Sequence, residues 1–115
     1  PGGGLEEEES VSDAAVRETA EETGIVVEPT HIIATEDLLC SHFKMCKVWL
    51  SCRYLSGEIQ STSDATAEGI IDARWFNRSE LEMEVVYPRL IQEEWANLAG
   101  SDWSAKPLGI RTASF

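Results

Sequence analysis

The amino-acid sequence predicts an α+β domain with a mixed sheet. Three observations carry this. Residues 11–23 hold no Pro or Gly and are bracketed by helix start and stop signals. Residues 44–55 alternate in the period-2 manner of a strand. The last third of the chain carries capping and proline signals for further short helices.

In order, Ser10 with Asp13 three residues on has the form of a helix N-terminal capping box. Gly24 stands where a left-handed residue ends a helix, so residues 11–23 form one helix of about three turns. Val26 and Val27 continue briefly before Glu28-Pro29 breaks the run. Residues 30–40 follow as a strand with Ile32, Ile33, Leu38 and Leu39 apolar. His31 reads as a strand surface residue, since no second His or Cys stands at metal-ligand spacing. Ser41-His42-Phe43 is a turn. In the strand over 44–55, Cys46, Val48, Leu50, Cys52 and Tyr54 face a core, and Met45, Lys47, Trp49, Ser51 and Arg53 the other way. Residues 61–66 are a polar loop, and 70–76 a short strand ending in Trp75-Phe76. Ser79 with Glu82 opens a short helix, and Tyr87-Pro88 a last one with the stripe Leu90, Ile91, Trp95 and Leu98, ended by Gly100. Residues 101–115 form a tail or one edge strand.

The 115 residues suffice for one domain and one core. Nine basic against 21 acidic residues give a net charge of −12, and eight of the acids precede Gly24. That balance argues against a nucleic-acid binder, which needs a basic face. A phosphate substrate then requires metal to neutralise the contact region. Three cysteines without paired spacing read as reduced thiols and a cytoplasmic protein. No segment approaches eighteen consecutive apolar residues, so no membrane-spanning helix is expected.

The chemistry concentrates on the first helix. Glu18, Glu21 and Glu22 are related by three and four residues and share one stripe. Like charges at that spacing repel by a few tenths (~0.2–0.5) of a kcal/mol per pair, so a compensating cation is expected. Carboxylate oxygens suit a hard divalent ion such as Mg²⁺, with substrate phosphate oxygens completing its shell. Gly2, Gly3 and Gly4 form a loop able to approach a ligand, and Glu6 to Glu8 a solvated acidic run.

The spacing Gly3, five residues, Glu9, seven residues, Arg17-Glu18, two residues, Glu21-Glu22, one residue, Gly24, then the aliphatic Ile25, resembles the Nudix box. At roughly one in fifteen per residue type, chance agreement at seven fixed positions is on the order of 10⁻⁸ at a given start. Thr19 departs from the aliphatic preferred there, but its methyl can still pack. The resemblance is specific over 1–25 and rests on element order over 26–98. It implies a Nudix hydrolase, which cleaves nucleoside diphosphates linked to another group with Mg²⁺ or Mn²⁺. It further implies an α/β/α sandwich with strands before the box. Those strands are absent here, so one Nudix domain over 1–115, incomplete at its N-terminus, is expected, with an unpaired sheet edge that favours a homodimer.

By the same resemblance Glu18, Glu21 and Glu22 are the metal ligands, joined by a carbonyl near Gly2 or Gly3. Gly3, Glu9 and Gly24 support them, and Glu68 matches a late loop glutamate that serves as base or extra ligand. Arg17 orients Glu18 or clamps a phosphate. Glu18 or Glu68 takes the proton of the attacking water. Two rivals remain: a Nudix domain that senses a nucleotide without cleaving it, and an acidic cation-binding interaction module. The first has no need to keep Arg17, Glu18, Glu21 and Glu22 together, and the second needs neither the glycine loop nor the arginine.

Overall fold

In the computed structural model of the protein, residues 1–98, 100 and 102–113 are described. A helix α1 (Val11–Thr23) leads into a long strand β1 (Val26–Leu39), which turns back as β2 (Lys44–Ser56). Four short helices follow: α2 (Ser63–Ala67), α3 (Arg78–Leu81), α4 (Leu90–Glu93) and α5 (Trp95–Leu98). A last strand, β3 (Lys106–Thr112), completes a sheet of order β2-β1-β3. β2 runs antiparallel and β3 parallel to β1, so the sheet is mixed and the fold α+β, as expected. β3 is the edge strand expected in the tail, and Pro107 sits on it, where an edge tolerates a missing donor. Ser101 and the last two residues of that expected tail lie outside the described residues.

The first helix starts and stops on the predicted signals. Ser10 Oγ accepts from the Asp13 N–H at 3.0 Å and Asp13 Oδ2 from the Ser10 N–H at 3.3 Å, a reciprocal capping box. Gly24 takes φ 78° and returns its N–H to the Ala20 carbonyl. Ala14, Glu22 and Thr23 are its buried residues, and α1 packs on β1.

β1 begins earlier than the Glu28-Pro29 break implied. Pro29 is tolerated because β3 pairs with β1 only from Ala34 onward, which leaves the earlier half an edge on that side. Its apolar pattern did not alternate cleanly, and the reason is a bulge. The ladder to β2 passes from Ile32 opposite Leu50 to Ala34 opposite Trp49, leaving Ile33 without a partner. The more buried residues are odd-numbered up to Ile33 and even-numbered from Ala34 to Leu38. Ile33 and Ala34 are both buried, and Ala34 and Leu38 are fully so.

The faces of β2 do not divide as expected: Val48 and Leu50 of the expected core face are half-buried, but so are Met45, Lys47, Trp49 and Ser51 of the other. Cys46, Cys52 and Tyr54 are exposed, whereas Met45, Lys47 and Trp49, opposite Leu38, Glu36 and Ala34, are partly covered. The covered face is set by Glu36, a carboxylate only 4% exposed at the centre of the sheet. Trp49 Nε1 donates to Glu36 Oε1 at 3.2 Å from β2. Arg111 Nη2 and Nε donate to its two oxygens at 3.2 and 3.3 Å from β3. Burial opposes the Glu36 charge, but the Arg111 and Trp49 hydrogen bonds outweigh it and hold the carboxyl below its usual range.

Residues 70–76 form no strand. Ile71 is fully exposed, the Ala73 N–H is taken by Asp72 Oδ1, and Trp75 leans edge-on against Tyr54. Local side-chain bonding displaces a ladder there. The short-helix capping box is made by Asn77 and Glu80, two residues before the one expected. The last helix is divided at Glu94, where φ is −118°. Gln92 Nε2 braces α4 on the Leu81 and Glu84 carbonyls, while the His31 ring meets the Leu98 carbonyl at 2.7 Å and ties α5 to β1. His31 is therefore a half-buried tie, not a surface residue.

Replacing Arg111 by Met leaves the buried Glu36 carboxylate with Trp49 as its hydrogen-bond donor and only the more distant charge of Lys47. Chemical denaturation is expected to show a loss of about 2–3 kcal/mol. The Glu36→Leu, Arg111→Met double variant recovers most of it, because no charge is left buried. Because the Glu36 carboxyl is lowered in the fold, its contribution is present above the unfolded value of about 4.3 and lost as pH falls below it. A parent and double variant with identical acid dependence between pH 5 and pH 2 would refute this role for Glu36.

Candidate active site

The site is built where the N-terminal loop folds back on α1. Arg17, with its side chain 21% exposed, is the centre. Its Nε donates to Glu9 Oε2 at 2.8 Å, and its Nη2 to Glu9 Oε1 at 2.9 Å and the Gly4 carbonyl at 3.1 Å. Its Nη1 donates to Glu18 Oε1 at 2.7 Å and Glu21 Oε2 at 3.1 Å, with Glu6 Oε1 at 3.6 Å. The compensating cation that the repelling stripe required is thus, in this structure, a guanidinium. Glu6 joins this network, so the run from Glu6 to Glu8 is not uniformly solvated.

Glu22 stands apart. It is 3% exposed, and its Oε2 accepts the Gly2 N–H at 2.8 Å. Gly3 lies over Glu18: a Cβ at Gly3 would fall 2.4 Å from Glu18 Oε1. Only a residue without a side chain leaves that carboxylate in place. Gly24 is similarly pressed, with a Cβ there 2.6 Å from the Gln60 amide, whose backbone N–H donates to the Thr23 carbonyl at 3.0 Å. Gln60 carried no signal in the sequence, and neither did the Glu36 cluster, whose residues lie far apart along the chain.

Glu68 is the C-cap of α2, a helix that packs on α1. Its carboxylate is exposed and makes no hydrogen bond or ion pair with the box among the described residues. Arg17, Glu18, Glu21 and Glu9 are brought together, Gly3 and Glu22 lie beside them, and Glu68 remains outside their contacts.

The turn that delivers Glu9 is strained. The Glu9 N–H donates to the Glu6 carbonyl at 3.1 Å, and Glu8, third in this four-residue turn, has φ 65°. That position favours Gly or Asn. Glu9 itself is fixed at both ends, by the Arg17 fork and by the Glu6 N–H at 3.1 Å. The Arg17 hydrogen bonds and that backbone bond hold its carboxyl down at about 2, and the bonds from Glu9 and Glu18 raise Arg17 above its usual value.

The donor set fits a hard divalent ion in chemical type. It offers carboxylate oxygens on one helix stripe and a glycine cradle over Glu18 that a Cβ would fill. In the geometry present, no group of three or more His, Cys, Asp or Glu side chains is arranged to hold one ion, among the described residues. Arg17 draws Glu18 and Glu21, and Gly2 draws Glu22.

Fold and site together define a class: α+β domains with an oxygen-donor site on a capped loop–helix–loop unit. Residues 1–94 match the family model of the NUDIX domain, and the chain belongs to that family. No curated protein and no solved structure matches it. NUDIX proteins are generally hydrolases of phosphoric anhydrides that use divalent metals such as Mg²⁺ or Mn²⁺. Among the described residues no helix is long and apolar enough to cross a membrane.

Two expectations follow from the strained turn and the clamped carboxylate. A left-handed non-glycine residue costs about 1–2 kcal/mol, and glycine adds about 0.5–1 kcal/mol of unfolded-state entropy. Glu8→Gly should therefore stabilise the protein by about 0.5–1 kcal/mol in urea denaturation; a loss would mean the turn does not need φ above zero. Because the Glu9 carboxyl is depressed, its contribution is present above its unfolded value of about 4.3 and lost as pH falls. The loss runs down to about 2, the value Glu9 holds in the fold. Thermal melts of the parent should fall more steeply over that window than melts of Glu9→Gln.

Proposed function

We propose that this protein is a divalent-metal-dependent hydrolase that cleaves the pyrophosphate link of a nucleoside diphosphate joined to another group, such as a nucleotide or a sugar. The observation that carries this reading is the glycine loop closed over a carboxylate stripe, with Gly3 so near Glu18 that a side chain there would displace its carboxylate. Such closeness sets the loop backbone against the carboxylates of the stripe, and a polyanionic substrate reaches carboxylates only through cations.

Glu18, Glu21 and Glu22 would hold Mg²⁺ or Mn²⁺. The ion, when bound, supplies charge neutralisation of the pyrophosphate and acidifies the attacking water. Arg17 holds the Glu18 carboxylate in place through Nη1 and is itself held by Glu9. Glu18 or Glu68 accepts the proton of the attacking water, and Glu68, exposed and unengaged by the box, reaches it through movement of its loop. Three free thiols suit the reducing cytoplasm as the place where the protein works.

The test is kcat on a nucleoside diphosphate substrate found by screening such compounds with Mg²⁺. Glu18→Gln and Glu22→Gln should each lose roughly 10²–10⁴-fold, whereas Glu7→Gln, in an exposed turn, should not. Glu68→Gln decides the base: a large rate loss at unchanged metal affinity assigns it to Glu68, and a small loss to Glu18. Isothermal calorimetry should show Mg²⁺ binding that the Glu18→Gln, Glu22→Gln double variant loses. If Glu18→Gln and Glu22→Gln turn over as fast as Glu7→Gln, the box is not the active site, and the sensing or interaction reading replaces this one.

A further inference from the structure

The sheet has two edges, and only one of them is blunted. β3 is short, carries Pro107, holds Gly109 in the left-handed region at φ 78°, and slips in register between Pro107 and Ile110. A missing donor and a bulge both discourage further pairing. β2 has neither. It runs for 13 residues without Pro or Gly. Each of its residues from Lys44 to Tyr54 pairs with β1, the irregularities there falling on the β1 side. Its outer side meets no strand among the described residues. Tyr54 and Leu55 near its end are half-exposed, and Trp75 beside Tyr54 is more so.

Area and charge say what covers this edge. The chain exposes 8032 Å². A compactly folded chain of 12.7 kDa exposes about 6,200 Å². The excess of about 1,800 Å² is what each partner gives up in an obligate homodimer, about 1,000–2,500 Å². At a net charge of −12, two copies repel over most of their surface. From Lys44 to Gly57, however, there is no acidic residue.

We propose that two copies of this chain join through β2, antiparallel about a two-fold axis at Trp49, into one continuous sheet. A continuous sheet keeps each face on its own side, so the axis passes through a residue and not between two. Centred on Leu50, the pairing would set Lys47 against Arg53. Centred on Trp49, it sets no cation against another: Lys44 meets Tyr54, Met45 meets Arg53 and Lys47 meets Ser51. Val48 and Leu50 then meet at the centre, where an interface is most apolar. Cys46 of each copy stands opposite Cys52 of the other.

That last pair supplies the test, because both cysteines are exposed in the single chain and their replacement leaves its core untouched. Sedimentation equilibrium of the parent should read twice 12.7 kDa. Cys46→Lys with Cys52→Lys sets like charges opposite each other on both sides of the axis. It should read 12.7 kDa at the same loading, despite its lower net charge and with an unchanged circular dichroism spectrum. Cys46→Lys with Cys52→Glu sets opposite charges there and should restore the dimer. Raising salt from about 0.01 to about 1 M should tighten the parent dimer, because screening between the acidic bodies shortens from about 30 to about 3 Å. A monomeric parent overturns the proposal and gives the edge to some other occupant. A dimeric Lys–Lys variant, a monomeric Lys–Glu variant or a parent dimer that salt dissociates overturns this pairing. The hydrolase reading stands in each case.

Discussion

One guanidinium makes the amino-terminal half of this chain possible. Without Arg17, the carboxylates of Glu6, Glu9, Glu18 and Glu21 would meet in one small volume. Coulomb repulsion among such groups at a few ångströms is of the order of 1 kcal/mol per pair even in water and larger near a protein surface. The loop would then lift from the helix, and Gly3 would no longer stand over Glu18. Everything attributed to the site depends on this closure. The scaffold is plain by comparison: a capped helix on a long strand, with a small core of Ala14, Ile25, Ile33, Ala34 and Leu38 beneath.

The sheet repeats the same solution with the signs reversed. At the box one cation gathers several carboxylates; at the sheet centre one buried carboxylate, Glu36, gathers donors from both neighbouring strands. Each arrangement joins segments that secondary structure alone leaves independent, the loop to α1 in one case and β3 to β2 in the other. Lys47, opposite Glu36 in register, lies over the Trp49 ring at 5.0 Å and adds a further positive charge to that face.

What the sequence made legible is what local rules govern. The capping pair Ser10 and Asp13, the stop at Gly24 and the stripe of Glu18, Glu21 and Glu22 are each written within four residues, and each is found in place. The hairpin of β1 and β2 was legible for the same reason, from apolar runs and an intervening turn. What failed depended on partners distant in sequence. Nothing near Glu36 announces Arg111, 75 positions on, so the alternation of β2 could not tell which face meets Glu36, and Cys46 and Cys52, expected inward, are exposed. The 70–76 segment had strand composition but meets no ladder, and Asp72 bonds locally instead. The division at Glu94 depends on where Gln92 and His31 reach, which periodicity does not encode. In the site, the stripe was read as needing a divalent cation; in the structure Arg17, a side chain already within the motif, engages Glu18 and Glu21, which follows from the loop closing and not from the helix.

The unpaired residue in β1 bears on how this chain can change length. Away from the bulge, losing one residue would reverse every later side chain of the strand, sending Glu36 and Leu38 outward. At Ile33 the extra residue is already accommodated, and its removal would leave Ile32 and Ala34 adjacent, opposite Leu50 and Trp49 as they are now. Ile33 is buried and its carbonyl accepts the Trp103 indole N–H at 3.0 Å, so the shorter strand gives up one core side chain and one tie to the tail. The inward positions beyond it are conserved. Thr30, passed over between Pro29 opposite Cys52 and His31 opposite Ser51, is a second such place, so relatives with a strand one residue shorter should have lost it at one of these two positions.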